Sequence, residues 1–145
     1  MPFETIENIK KLAAQIAVFP EGVRVEARAL TKAGRTYARF IKITIGAQLA
    51  RKLFWRDEKV PIELAFGTGK DAGKIRAVMD ASGGQFVARR IRQGHYTITI
   101  SAATADGLFS LTFPRFDIPA VEPVHEIGKP PMLVFKASEE MLAAE

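Results

Sequence analysis

Cysteine is absent from the 145 residues, which excludes disulfides, thiolate metal sites and a cysteine nucleophile. There are only two histidines, His95 and His125. They fall in different predicted strands without an acidic or histidine neighbour at ligand spacing, so no metal site is expected and both read as surface or rim residues. No run approaches the ~18 apolar residues of a membrane span, and no basic-then-apolar leader opens the chain. A cytoplasmic protein without membrane contact is expected. Trp55, Tyr37 and Tyr96 are the only aromatics besides phenylalanine. Ser82, Ser101 and Ser110 sit in no strand–turn–helix elbow, and the adjacent Asp57 and Glu58 do not form a facing acid–base pair. The chain therefore reads as non-enzymatic, with no cofactor and no metal.

What is present suits one folded domain. Hydrophobic residues make up 48% and charged residues 26% of the chain, enough apolar material for a core. The net charge of +5 is unevenly spread. Residues 23–95 hold sixteen Lys and Arg against six Asp and Glu, whereas residues 1–22 and 96–145 are both net acidic. A basic middle suits a polyanion, and it equally suits hairpins that carry Lys and Arg for solubility.

Phe3, Ile6, Ile9, Leu12, Ala13 and Ile16 recur at helical spacing, predicting an amphipathic helix that Pro20 and Gly22 end. Val23–Leu30 alternates as a strand and turns through Thr31-Lys32-Ala33-Gly34 into a second, Tyr37–Ile45. Within it Ile41, Ile43 and Ile45 alternate with Lys42 and Thr44. Gly46 then makes a corner, and Ala47, Ala50, Leu53 and Phe54 share one face of about two helical turns. Further strands are predicted over Val60–Phe66, with Pro61 confined to its first residues or a sheet edge, and over Lys74–Asp80. Between them, Gly67–Lys74 mimics a phosphate-binding loop. Its glycines are misspaced and no helix follows, so it reads as a hairpin loop.

The pattern then recurs. Across Ile43–Phe54 and Ile98–Phe109, seven of twelve positions are identical without a gap. A hairpin, Gln85–Ile91 with His95–Ser101, again precedes the unit, and Ala102–Leu108 is a weaker helical segment. Phe109–Pro119 reads as irregular, Ala120–Ile127 and Met132–Ala137 as a closing strand pair, and Ser138 as the cap of a tail helix. The predicted fold is mainly β, within an α+β description. It is one domain, 1–145, holding an N-terminal helix (1–22), two β-β-α-β-β repeats (23–81 and 82–137) and a tail (138–145). Neither repeat buries four short strands alone, so the two are expected to wrap a common core as a small closed or nearly closed barrel with internal pseudo-twofold symmetry.

The order Arg39-Phe40-Ile41-Lys42-Ile43-Thr44-Ile45-Gly46, then Leu49, Leu53-Phe54-Trp55, a charged loop and Val60-Pro61-Ile62-Glu63-Leu64, resembles the AbrB/MazE/SpoVT family of swapped-hairpin barrels. The resemblance covers roughly Val23–Val78 and, more faintly, Gln85–Ala137. The family's Gly-Asp before the third strand is replaced here by Asp57-Glu58-Lys59, and its corner proline by Gly46 and Ser101. In that family two chains interleave into one DNA-binding barrel. The resemblance implies that this single chain is a pseudo-dimer of the same kind.

The basic residues are the remaining functional candidates. Arg24, Arg28, Lys32, Arg35, Arg39 and Lys42 follow the first hairpin, and Arg89, Arg90 and Arg92 lie near the turn of the second. If the hairpins lie side by side, the nine residues form one positive surface for phosphates. Without interleaved aromatics, duplex backbone is a better match than stacked single strands. The expectation is a nucleic-acid-binding barrel, with duplex DNA as partner. The alternative is a structural or assembly module of phage or prophage type, with a second copy or an assembly partner.

Overall fold

The computed structural model describes residues 18–143. Its strands are β1 (Val23–Lys32), β2 (Arg35–Ile45), β3 (Lys59–Phe66), β4 (Lys74–Met79), β5 (Phe86–Arg90), β6 (Tyr96–Ser101), β7 (Phe116–Ile118) and β8 (Met132–Lys136). Three short helices accompany them, α1 (Ala47–Lys52), α2 (Ala102–Ala105) and α3 (Glu139–Leu142). All eight strands join one antiparallel sheet in the order β7-β1-β2-β6-β5-β3-β4-β8, which curls into a half-barrel. The fold is mainly β.

Alternation explains the core. Val23 and Val25 of β1, Ile41, Ile43 and Ile45 of β2, and Tyr96, Ile98 and Ile100 of β6 all turn to one face and are buried. Val60, Ile62, Leu64, Ile75, Ala77, Leu133 and Phe135 continue that face across the other strands, and α1 and α2 lend Leu49, Ala50 and Ala105. At the centre Ile43 lies directly opposite Ile98 in the β2–β6 ladder. Burying side chains of this size contributes roughly 1.5–3 kcal/mol each.

The corner at Gly46 is built by close backbone approach. A Cβ there would collide with the carbonyl oxygens of Phe19 and Pro20. That proximity caps α1, which has no side-chain cap of its own. The Gln48 and Leu49 N–H groups donate to the Pro20 carbonyl at 2.9 and 3.0 Å, and the Ala47 N–H donates to His95 Nδ1 at 3.0 Å. The repeated corner uses Ser101 instead, whose hydroxyl accepts from the Thr104 N–H at 3.3 Å.

Several expectations need correction. The sheet is not closed by its end strands, because β7 and β8 are not partners. Ala120–Ile127 is no strand; it makes a single bridge, Val124 to Met132. Pro119 precedes it and Pro123 interrupts it, and neither supplies a ladder donor. The third strand of the second half is instead Phe116–Ile118, within the stretch expected to be irregular. A strand of three residues, set between Pro114 and Pro119, is too short to display alternation. Pro61 does fall among the first residues of its strand, as expected, being third in β3, although that strand is interior to the sheet. Its carbonyl accepts from the Asp80 N–H at 2.9 Å, just past the end of β4, so its missing donor faces the edge where that ladder stops. Residues 18–22 are a turn ending at Gly22, and the predicted N-terminal helix otherwise lies outside the described residues.

Candidate nucleic-acid interface

The β1–β2 hairpin is longer than the sheet that holds it. On one side β7 pairs only with Val23–Val25, and on the other β6 pairs only with Phe40–Ile45. Beyond Phe40 the two strands continue alone to a turn at Ala33-Gly34, both at positive φ, between the paired Lys32 and Arg35. Every residue from Arg28 to Arg39 except Ala38 is exposed. The result is a two-stranded arm reaching about 17 Å past the core, at ~3.3 Å per residue from Phe40 to Arg35.

Arg28, Lys32, Arg35 and Arg39 all lie on this arm, with no acidic residue between Ala27 and Arg39. The nearest carboxylate contact is Glu26, 3.7 Å from Arg28. Lys32, Arg35 and Arg39 have no ion-pair partner among the described residues. Tyr37 is 66% exposed on the arm and Leu30 is 43% exposed. A β-bulge between Leu30 and Thr31 adds twist there.

The other predicted residues stand elsewhere. Arg24 bonds Asp117 through Nε at 2.7 Å and its side chain is only 13% exposed, so it fastens β1 to β7. Lys42 is half-buried on the convex face between Glu26 and Thr99. Arg89 is exposed on that face, beside Thr97 and Lys59. Arg90 donates to the Arg56 carbonyl at 3.0 Å and lies 3.9 Å from Glu58. Arg92 is exposed in the turn after β5.

The register separates these groups. Ile45 pairs with Tyr96 and Phe40 with Ser101, so the β5–β6 turn lies past one end of the ladder and the arm past the other. Ten residue steps from Ile45 to Arg35 amount to about 33 Å. The single positive surface expected from side-by-side hairpins is thus two sites at opposite ends, of which the arm is the denser. Its protrusion left one trace in the sequence, because buried alternation stops after Val25 while the basic residues go on.

Titratable groups elsewhere serve structure. His95, expected at the surface, is buried, and its Nδ1 accepts the α1 N–H described above while burial lowers its pKa. Tyr96 donates its hydroxyl to the Asp57 carbonyl at 2.7 Å, and burial raises its pKa. Gly67–Lys74 forms the β3–β4 hairpin loop around a turn of 3-10 helix, Gly69–Asp71. No group of three or more His, Cys, Asp or Glu able to hold a metal occurs among the described residues, and no helix there is long and apolar enough to cross a membrane. Compared with family models, with curated proteins and with solved structures, the chain finds no match in any of the three.

Proposed function

We propose that this is a non-enzymatic nucleic-acid-binding protein of the cytoplasm, and that the β1–β2 arm is the part that meets duplex phosphates. The observation that carries this reading is the arm itself: four cations on a protruding ribbon with no acid among them. A two-stranded ribbon matches the ~12 Å width of a duplex major groove. The strand order is one in which the two halves of the chain interleave. From the β2–β6 junction outward it runs second, first and third strand of one half or the other on both sides, with each third strand bonded to the opposite half. The symmetry lapses at β8, which pairs with β4 and not with β7.

The test is retention of mixed-sequence duplex DNA by the full chain at several salt concentrations. Four phosphate contacts give a slope of log K against log salt near −3.6, at about −0.9 per phosphate. Replacing Arg28, Lys32, Arg35 and Arg39 together by alanine removes binding and leaves the fold intact. No retention at ~50 mM salt overturns the proposal. Exposed Leu30 and Tyr37 favour a second reading, in which the arm grips another copy during assembly. A ring or open polymer on a sizing column, without DNA retention, selects that one.

A further inference from the structure

Among the described residues the β8 edge of the sheet pairs with no further strand, and a groove lies beside it. The Ala137 N–H donates to the Gly73 carbonyl at 2.8 Å, so by alternation Leu133 and Phe135 also turn their backbone groups toward β4. Met132, Val134 and Lys136 turn theirs outward. Met132 alone is answered there, exchanging bonds of 2.8 and 2.9 Å with Val124. The strap before Val124 then leaves the edge: the Val121 N–H donates to the Glu21 carbonyl at 2.9 Å, and Glu122 stands 3.4 Å from Lys52. The backbone N–H and C=O groups of Val134 and Lys136 have no partner among the described residues.

Next to this edge is a cavity of about 420 Å³, floored by the lateral row Ala65–Arg76–Val134 and walled by Thr68, Val124 and Met132. Its charges are internally matched. Arg76 bonds Glu63 and Lys74 bonds Asp71, each at 3.1 Å, and Glu126 bonds Lys129 at 3.1 Å. Lys136, outside the cavity lining but on the same edge strand as Val134, is not matched in this way. It is exposed, lies directly opposite Lys74 in the β4–β8 register, and has no carboxylate partner among the described residues. Like charges directly opposed in a ladder are unfavourable, and an acid on the next strand relieves them.

We propose that this edge accepts a short extended peptide that adds to the sheet as a further strand, with an acidic residue beside Lys136. Main-chain bonds to a free edge supply affinity and alternate side-chain positions supply selectivity. The peptide runs antiparallel, continuing the sense of the Val124–Met132 bridge, and makes four backbone bonds to Val134 and Lys136. Its acidic residue falls opposite Lys136. The residue two positions later falls opposite Val134, on the cavity side, and is apolar. Val124 ends the slot, so three or four residues are held.

The experiment is an NMR titration of the full chain with a blocked six-residue peptide, Thr-Glu-Thr-Val-Thr-Ser, and with its counterpart carrying Lys for Glu. Saturable shifts of the Val134 and Lys136 amides are expected, with the Lys peptide weaker by about two- to five-fold. Lys136→Glu should reverse that preference. Val134→Pro removes an outward N–H from an edge strand, where proline is tolerated, and should abolish the shifts while other resonances stay in place. The proposal is overturned if those amides do not move, or if neither substitution alters the response. Concentration-dependent shifts of the same amides without peptide overturn it too, in favour of a second copy as occupant.

Discussion

Gly46 and His95 meet at the start of α1, and each supports a sharp expectation. A Cβ at Gly46 would drive into the Phe19 and Pro20 carbonyls, which cannot retreat without losing the turn bond to the Gly22 N–H and the bonds that cap the helix, respectively. Gly46→Ala should cost about 1–3 kcal/mol in chemical denaturation, the usual range for overpacking, and a change under ~0.5 kcal/mol would contradict this account. The glycine was legible as a corner, since apolar alternation stops there, but the backbone lying against it comes from 26 residues earlier and left no local trace. His95 was misread for the same reason. Its acceptor role depends on Ala47, a partner 48 positions away. With Nδ1 accepting and burial opposing charge, the folded pKa is lowered from the ordinary 6.5. The unfolded chain then takes up a proton that the folded chain refuses, so stability is full above about pH 6.5 and falls as pH drops through that value. His95→Gln keeps an acceptor that does not titrate. Its denaturation midpoint should be flatter between pH 7 and pH 5.5 than that of the parent protein.

Among the elements, the arm and the core half of the same strands should differ in local stability. Ile41–Ile45 is bonded on both sides and buried at every other residue, while Arg28–Arg39 has neither neighbour strand nor burial. Amides of Leu30–Arg39 should exchange with solvent far faster than those of Ile41, Ile43 and Ile45, which should approach global protection. Equal protection would mean that the arm is covered in solution. Long alternating elements such as β2 and β6 were readable because both faces of the pattern were filled. The short β7 was not, and Ala120–Ile127 resembled a strand only in composition. What diverted it was a pair of distant contacts, Val121 with Glu21 and Glu122 with Lys52.

For the whole molecule, the strand order decides cooperativity. β3 is bonded to β5 and β7 to β1, so each half of the chain completes its ladders on the other. Unfolding followed by Trp55 fluorescence and by far-ultraviolet circular dichroism should give coincident transitions. Ile43→Ala and Ile98→Ala should each cost about 2–5 kcal/mol, and their double mutant should depart from additivity because the two side chains are ladder partners. Separable transitions would mean that the halves are independent. The alternating apolar stretches made the general β character legible, and the basic hairpin could be named residue by residue. Their arrangement was not readable, because register between distant strands decides which ends of the hairpins coincide.

That interlacing has a consequence for the order in which the chain is made. When residues 18–81 have left the ribosome, β2 has no β6 beside it and β3 has no β5. Ile41, Ile43 and Ile45 then belong to an apolar strand with one edge open, the condition most prone to pairing with the wrong neighbour. The missing strand arrives only with Tyr96–Ser101, and the β1 edge waits longer still for Phe116–Ile118. The dangerous interval in the life of this protein is its own synthesis, and it closes from the centre of the sheet outward.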